Sequence, residues 1–150
     1  MRILVDTREQ LPYGFTGYPV TPVSATLPTG DYALPGDEYR FSVERKSPSD
    51  FLKSIGSDWP RVSAELDRAQ SLVFVVEAPL DLFMVHLESG RIVPPEHSAQ
   101  FAPQFVQKRV ADMLGRHGVS VFFCANREYA EAMTWQVLRG RWLKIRDVVV

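Results

Sequence analysis

Four carboxylates and one lysine stand where the sequence predicts strand ends or tight turns: Asp6, Glu9, Asp31, Glu44 and Lys46. Side chains alternate between the two faces of a strand, so Glu44 and Lys46 are predicted to lie on the same side of a sheet. Carboxylates bind hard cations such as Mg²⁺ or Mn²⁺, which polarise a phosphoryl oxygen and lower the pKa of bound water. A lysine beside the cation orients the attacking hydroxide or neutralises developing charge. These residue types indicate metal-assisted hydrolysis of a phosphodiester.

A glutamate and a lysine two residues apart are weak evidence on their own, since chance gives such a pair about once in two chains of this length. The alternative for Asp31, Glu44 and Lys46 is a turn aspartate followed by a surface ion pair. The surroundings favour the functional interpretation. Asp-Thr-Arg-Glu closes the first predicted strand, Gly30 and Asp31 form a tight turn, and a capped helix follows Lys46 directly.

The elements that position these residues alternate between strands and helices, which predicts an α/β fold. Apolar runs and period-two alternation predict strands over residues 3–5, 22–27, 31–34, 39–44, 72–76 and 119–124. In the fourth of these, Tyr39, Phe41 and Val43 are predicted to share one face, and Glu44 to end the strand on the other. Periodicity of apolar residues and capping signals predict helices over residues 47–56, 59–69, 81–87, 104–116 and 126–138.

Composition bounds the class of protein. A chain of 150 residues with 45% hydrophobic content is expected to form a single domain, residues 1–150, with a core of its own. One cysteine, Cys124, excludes an intrachain disulfide. Two acids and two arginines fall within the first nine residues, and no apolar run is long enough to span a membrane. We therefore expect a cytoplasmic or nucleoid-associated protein, or a nuclear one in a eukaryote, that is not secreted.

The formal net charge of -1 argues against a nonspecific nucleic-acid binder that depends on a strongly basic surface. The charges are unevenly distributed, because residues 1–100 hold 9 Lys and Arg against 14 Asp and Glu, whereas residues 101–150 hold 8 against 4. An acidic first part suits a site that needs divalent cations. Residues 101–150 therefore contain enough cationic side chains to form a basic face.

Three segments together resemble the nuclease domain of the XPF-type family of structure-specific endonucleases: DTRE at residues 6–9, GDY at 30–32 and VERKSPSDF at 43–51. The family pattern is G-D, a spacer, then E-R-K-x-x-x-D, and this sequence fills every position. The resemblance implies a restriction-endonuclease-like fold with a central mixed β-sheet flanked by helices. It also implies dependence on Mg²⁺ or Mn²⁺ and cleavage of branched or flap DNA near a junction of single and double strands.

The resemblance also implies roles for individual residues. Asp31 and Glu44 correspond to metal ligands, the Arg45 main-chain carbonyl to a further ligand, and Lys46 to the catalytic lysine. Asp6 is expected to support or contact the metal, and the surrounding ionic network is expected to hold Arg8, Glu9, Arg45 and Asp50. Alternatives stay open for four of these residues: Asp6 as a turn cap, Arg8 and Arg45 as structural bridges, and Asp50 as a helix-dipole partner.

Binding of the DNA phosphates requires cationic side chains elsewhere in the chain. The candidates are Arg61, Lys108, Arg109, Arg139, Arg141, Lys144 and Arg146. Of these, Arg61, Lys108 and Arg109 are assigned to DNA binding. A chain that ends at Val150 is expected to be a stand-alone form without the tandem helix-hairpin-helix domain that many members carry. We expect either a homodimer, with apolar surface from Met133, Val137 and Trp142, or a protein partner that supplies DNA binding.

Two other functions remain open: a nuclease-like scaffold without catalysis, and a metal-dependent hydrolase of RNA or other phosphoesters. Glu77, at the end of a predicted strand, either adds to the metal site or has a structural role. The histidines lack metal-ligand spacing and are predicted to lie on the surface or in loops: His86, His97 and His117.

Overall fold

A computed structural model describes residues 1–69, 71–83, 85–86, 92–93 and 103–148. The strands are β1 Arg2–Asp6, β2 Thr21–Ala25, β3 Tyr32–Ala33, β4 Phe41–Lys46, β5 Ser71–Val76, β6 Val85–His86, β7 Ile92–Val93 and β8 Ser120–Phe123. The helices are α1 Pro48–Ile55, α2 Trp59–Arg68, α3 Pro103–His117 and α4 Arg127–Val148, with a 3-10 helix at Leu80–Phe83.

A six-stranded mixed sheet forms the centre of the fold, in the order β2-β1-β3-β4-β5-β8. Strand β3 is antiparallel to both neighbours, β1 and β4, while β1 pairs parallel with β2, β4 with β5, and β5 with β8. Strands β1, β4, β5 and β8 therefore end at the same side of the sheet, called here the carboxyl edge. Residues that follow these strands meet there, as in other α/β sheets.

Each face of the sheet is covered by its own apolar cluster. On one face, Phe74 and Val76 of β5 pack with residues of α1, α2 and α3, including Phe51. On the other face, Val75 packs with β1, β3 and α4, including Leu138. Strand β5 is apolar on both sides because helices cover both. The predicted α/β fold, with a central mixed sheet flanked by helices, is confirmed.

Strand β4 begins and ends two residues later than the sequence predicted. Tyr39 lies in the preceding turn and is 76% exposed, so the prediction that it shares a strand face with Phe41 and Val43 was wrong. Phe41 and Val43 do share the face that α4 covers. The pairing with β5 continues through Lys46 opposite Val76, which carries the strand past Glu44.

Helix α1 begins as predicted. The Ser47 hydroxyl accepts a hydrogen bond from the Asp50 N–H at 3.3 Å. Pro48 occupies the first helical position, where a main-chain N–H would have no partner within the helix, so its absence costs nothing. At the other end, the Gly56 N–H donates to the Leu52 carbonyl. The short helix is therefore held at both ends directly behind β4.

Helix α4 begins at the predicted cap, where Asn126 Oδ1 accepts the Tyr129 N–H at 3.0 Å. It continues to Val148 and does not end near Leu138 as predicted. Gly140 lowers helix propensity by about 1 kcal/mol relative to alanine, but Trp142 and Ile145 extend the apolar stripe from Leu138 and pack against the cluster on that face. Packing outweighs local propensity here.

The segment after β5 also differs from the prediction. The helix expected over residues 81–87 is a 3-10 helix at Leu80–Phe83 followed by β6, and Leu87 lies outside the described residues. His97 also lies outside them. Within the described ranges, each helix is too short or too polar to cross a bilayer.

Gly30 allows the turn before β3 to pass close to β4. Its φ is +77°, and a Cβ at this position would lie 2.6 Å from Ser42 Oγ and 3.2 Å from the Val43 carbonyl oxygen. The Asp31 N–H donates to that same carbonyl at 2.8 Å. A glycine is therefore required for the turn to deliver Asp31 to β4.

Gly30→Ala is expected to lower the free energy of unfolding by about 1–3 kcal/mol more than Gly17→Ala, because of the clash with Ser42. Gly17 is the matched control, since its φ is +88° but no atom lies within 4 Å of its Cβ position. That variant measures the cost of the positive φ alone, about 1–2 kcal/mol. Chemical denaturation of both variants tests this, and equal losses would contradict the close approach.

Candidate active site

A cleft of about 620 Å³ opens between the turn that carries Asp31, strand β4 and helix α2. We call it the Asp31 cleft. The charged side chains that line it are Asp6, Arg8, Asp31, Glu44, Lys46, Arg61, Glu65 and Arg68. Val62, Leu66, Leu72 and Phe74 line its apolar part. The structure thus brings the predicted set Asp31, Glu44 and Lys46 together.

Asp31 is fixed by main-chain contacts on both sides. The Asp6 N–H donates to the Asp31 carbonyl at 2.8 Å, and the Asp31 N–H donates to the Val43 carbonyl. Its carboxylate accepts the Arg45 N–H through Oδ2 at 2.8 Å. The position of the carboxylate therefore depends on the pairing of β1, β3 and β4.

Glu44 and Lys46 point to the same face of β4, as strand alternation predicted. Lys46 Nζ lies 3.5 Å from Glu44 Oε1, and the two side chains are 20% and 23% exposed. The ammonium also lies 5.9 Å from the centre of the Phe74 ring. The ammonium therefore lies next to the carboxylates and over an aromatic ring, partly shielded from water.

At strand β4, two carboxylates, Asp31 and Glu44, lie in the cleft beside one lysine, Lys46. Burial, and then the charge of Glu44, raise the pKa of Asp31 to about 8. Burial also raises the pKa of Glu44, against the opposing effect of Lys46. Two carboxylates that resist ionising together suit a divalent cation, which would stabilise both charges.

Asp31 and Glu44 are thus the side chains that would hold Mg²⁺ or Mn²⁺. No group of three or more His, Cys, Asp or Glu side chains in the described ranges is arranged to hold a metal ion. A cation in the Asp31 cleft would therefore complete its coordination with main-chain oxygen or water, as Mg²⁺ commonly does. The Arg45 carbonyl stays a prediction as the third ligand.

Asp6 lines the Asp31 cleft, and its carboxylate is paired with Arg8. Its two carboxylate oxygens accept from Arg8 Nε at 2.8 Å, Arg8 Nη2 at 3.1 Å and the Leu27 N–H at 2.9 Å. Burial opposes its ionisation, but the bonds from Arg8 and Leu27 outweigh burial, and its pKa is lowered. These contacts make Asp6 the anchor of the loop after β1, and its direct contact with a metal stays a prediction.

Arg45 points away from the cleft, to the opposite face of β4. Its guanidinium donates to Glu9 at 3.1 and 3.2 Å and to Glu77, and the three side chains are 7–10% exposed. The charges of Glu9 and Glu77 outweigh burial and raise the Arg45 pKa. The expected ionic network is present around Glu9 and Arg45, and the structural role left open for Glu77 is the one that the contacts support.

The sequence did not reveal two other members of this network. Arg127, at the start of α4, lies 3.1 Å from Glu77 and donates to the carbonyls of Leu11 and Pro12. The Tyr13 hydroxyl also donates to Glu77, at 3.1 Å. These contacts tie the loop after β1 to the ends of β5 and β8. The only local signal was the position of Arg127 in the first turn of the predicted helix.

Asp50 lies outside this network, contrary to the expectation. Its side chain is exposed in the first turn of α1, where its main-chain N–H binds the Ser47 cap. It does not line the Asp31 cleft. A favourable interaction with the helix dipole accounts for this position.

The residues assigned to DNA binding differ in their availability. Arg61 is 59% exposed and lines the cleft, and Lys108 is 66% exposed on α3. Arg109 is 19% exposed, lies over the rings of Trp59 and Phe105, and donates to the Ile55 carbonyl. Its guanidinium therefore joins α3 to α1 and α2, which is a structural role.

The late basic residues and the expected dimer surface also make internal contacts. Arg141 donates to the buried Asp37 carboxylate at 2.6 and 2.8 Å. Met133, Val137 and Trp142 are partly buried and pack against their own core. These contacts reduce the apolar surface that α4 presents to a second copy.

His117 was wrongly predicted to lie on the surface or in a loop. It ends α3 with a side chain only 6% exposed, and its Nδ1 lies 2.8 Å from Asp67 Oδ1 on α2. Ser63 Oγ lies 3.4 Å from its Nε2. The ring is buried because α3 packs against α2, which periodicity along a single helix does not indicate.

Asp31→Asn is expected to raise the melting temperature of the metal-free protein at pH 8. The folded carboxyl titrates near 8 and the unfolded one near 3.9, so the stability of the wild type falls as pH rises through this window. Asparagine keeps an acceptor for the Arg45 N–H and does not ionise. The expected gain is at least about 1 kcal/mol, or roughly 2–4 °C, and it should shrink towards pH 4.

Thermal melts with a chelator, at pH 5 and pH 8, measure this effect. Asp81→Asn, at an exposed position, is the matched control and should change stability by less than about 0.5 kcal/mol. Added Mn²⁺ should stabilise the wild type and not Asp31→Asn. The unfavourable ionisation of Asp31 in the folded protein would be contradicted if Asp31→Asn were less stable than the wild type at both pH values. It would also be contradicted if Mn²⁺ stabilised both proteins equally.

Comparison with known proteins places this geometry in a family. A family model described as the ERCC4 domain matches residues 5–134. The structure of XPF from Aeropyrum pernix is similar, with a TM-score of 0.66 and 22% identity over 99% of this chain and 68% of that chain. The structure of XPF from Aeropyrum pernix in a complex with DNA has a TM-score of 0.67 and 21% identity, over 95% of this chain and 66% of that chain. No curated protein matches the sequence.

The chain spans about two thirds of the length of these two structures. They establish the α/β restriction-endonuclease-like fold, with a mixed six-stranded sheet flanked by four helices within the described residues. The matched range contains every residue that lines the Asp31 cleft and the Arg45 network behind it. The resemblance found in the sequence is thereby confirmed, and the chain belongs to the ERCC4 domain family.

Proposed function

We propose that the protein is a divalent-metal-dependent endonuclease that hydrolyses DNA phosphodiester bonds at branched, flap or junction structures. One observation carries the proposal: Asp31 and Glu44, both with raised pKa values, share a cleft with the partly buried Lys46. Membership of the ERCC4 domain family supports nuclease activity. The XPF structure described as a complex with DNA supports DNA as the substrate.

In this proposal the chain's own residues have separate tasks. Asp31, Glu44 and the Arg45 main-chain carbonyl would hold Mg²⁺ or Mn²⁺, and the bound ion would polarise the phosphodiester and lower the pKa of water. Lys46 donates a hydrogen bond to the attacking oxygen or to the phosphate and neutralises the developing negative charge. Its short distance to Glu44 and its contact with Phe74 limit the positions that the ammonium can occupy.

The Arg45 network supports this site from the other face of β4. Glu9 and Glu77 fix the Arg45 side chain, and its main-chain N–H fixes the Asp31 carboxylate. A catalytic arrangement tolerates little displacement, since a shift of about 1 Å can reduce rate a hundredfold. The buried ion pairs therefore keep the proposed metal-binding residues in their positions.

Purified protein with Mg²⁺ or Mn²⁺ is expected to cleave labelled flap or junction DNA faster than the matched duplex. Lys46→Met should reduce the cleavage rate by about 10²–10³-fold, because it removes the cation that faces the reacting phosphate. Asp31→Asn should reduce it at least as much. Lys53→Met, on the exposed side of α1, is the matched control and should leave the rate unchanged.

Gel assays with chelator, with RNA of the same sequence and with a plain duplex complete this experiment. Cleavage that persists in chelator, or in both Lys46→Met and Asp31→Asn, would overturn the assigned site. Faster cleavage of RNA would replace DNA with RNA as the substrate. Mn²⁺ binding without cleavage of any substrate would leave the chain as a scaffold.

A further inference from the structure

We propose that Arg127, the first residue of α4, is a positioning residue for the Asp31 cleft. It acts from the opposite face of the sheet by holding the side chain of Arg45, whose main-chain N–H donates to the Asp31 carboxylate at 2.8 Å. This inference rests on the proposed function and extends it to a residue outside the motifs that carry the family resemblance. The affinity of the cleft for a divalent cation then depends on the first turn of α4.

The first connection from Arg127 to Arg45 passes through Glu77, at the end of β5. Arg127 Nη1 donates to Glu77 Oε2 at 3.1 Å, and the other carboxylate oxygen, Oε1, accepts a hydrogen bond from Arg45 Nη1. The Glu77 side chain is 8% exposed, so water solvates its charge poorly. Removal of Arg127 would leave this buried carboxylate with a single cationic partner and so disturb its pairing with Arg45.

The second connection passes through Glu9, the other carboxylate that binds the Arg45 side chain. Arg127 Nη2 donates to the Leu11 carbonyl at 2.6 Å and to the Pro12 carbonyl at 3.2 Å. The Leu11 N–H donates to Glu9 Oε1 at 3.3 Å, and the same oxygen accepts from Arg45 Nη2 at 3.2 Å. Arg127 therefore fixes the peptide that restrains Glu9, and both carboxylates around Arg45 depend on it.

A third connection reaches β3 through two aromatic rings. The Arg127 guanidinium lies 4.7 Å from the centre of the Tyr13 ring, which stacks on Tyr32 with the ring centres 5.2 Å apart. The Tyr13 N–H also donates to the Tyr32 hydroxyl at 2.8 Å. Tyr32 is fully buried and directly follows Asp31 in the chain. These contacts restrain the segment that carries Asp31 from a second side.

The stability of α4 alone does not explain an arginine at this position. A cation in the first turn of a helix interacts unfavourably with the helix dipole. The guanidinium of Arg127 is 43% exposed, yet both of its terminal nitrogens are bonded, Nη1 to Glu77 and Nη2 to the loop after β1. A planar group with several donors can make both sets of bonds together, whereas a lysine has a single nitrogen on a flexible stem. The geometry therefore favours a bridging role.

Hydrogen exchange of the metal-free protein tests the proposal without any cleavage. Arg127→Gln should speed exchange of the Arg45 N–H by about tenfold, because its bond to Asp31 would open more often. The Val75 N–H, at a fully buried position in the centre of the sheet, should speed up by a smaller factor. A role confined to overall stability would instead accelerate both amides equally.

Titration with Mn²⁺ gives a second measurement. The dissociation constant should rise about tenfold in Arg127→Gln, as is typical when a residue behind a metal ligand is removed. Arg127→Lys keeps a charge beside Glu77 and should lie between Arg127→Gln and the wild type. Arg146→Gln is the matched control, because Arg146 is also on α4 and lies 4.4 Å from the centre of the Trp142 ring, but at the far end of the helix. It should leave both measurements unchanged.

Melting temperatures establish that each variant folds. The proposal would be overturned by equal acceleration of the Arg45 and Val75 amides, or by unchanged Mn²⁺ affinity in folded Arg127→Gln protein. Equal losses with Arg146→Gln, or a larger effect of Arg127→Lys than of Arg127→Gln, would also overturn it. If the wild type cleaves no DNA, the proposed function is refuted, while exchange of the Arg45 N–H still decides whether Arg127 positions Asp31.

Discussion

The alternation of side chains along β4 is the constraint on which the rest of the site depends. Glu44 and Lys46 face the Asp31 cleft, and Arg45 between them faces the opposite side of the sheet. The Arg45 main-chain N–H holds Asp31, while its guanidinium is buried between Glu9 and Glu77. A shift of one residue in the register of β4 would reverse all three side chains, so the ion pairs behind the sheet also preserve the arrangement in front of it.

The charged side chains on one face of β4 are neutralised by close partners, whereas the carboxylates on the other face are not fully neutralised. Behind the sheet, Arg45 and Arg127 neutralise Glu9 and Glu77, and burying these charges is tolerated because each has a close partner. In the cleft, Lys46 does not fully compensate Asp31 and Glu44, whose pKa values are raised. The metal-free protein therefore retains an electrostatic cost at the place where a cation would relieve it. Such local instability at a site, offset by packing elsewhere, is a recurrent feature of functional centres.

Local signals in the sequence predicted the front of the site, and the reasons are physical. Strand alternation relates Glu44 to Lys46, and Ser47 with Pro48 starts α1 within a few residues of them. The partners of Arg45 were harder to identify, because Glu77 and Arg127 come near it only through the order of β4, β5 and β8. Helix α4 passes Gly140, and His117 is buried, for the same kind of reason: tertiary packing decided both. Asp50 shows the converse, a residue of the motif that the fold places outside the site.

The proposed site requires Asp31 and Glu44 to share one divalent cation. Crystals of the wild-type protein soaked in Mn²⁺, with anomalous differences measured, test it most directly. We expect one strong peak at about 2.0–2.6 Å from a carboxylate oxygen of each residue, with the Arg45 carbonyl as the next protein ligand. A peak held by Asp6 or Glu77 without Asp31, or Mn²⁺ bound only outside the cleft, would contradict it.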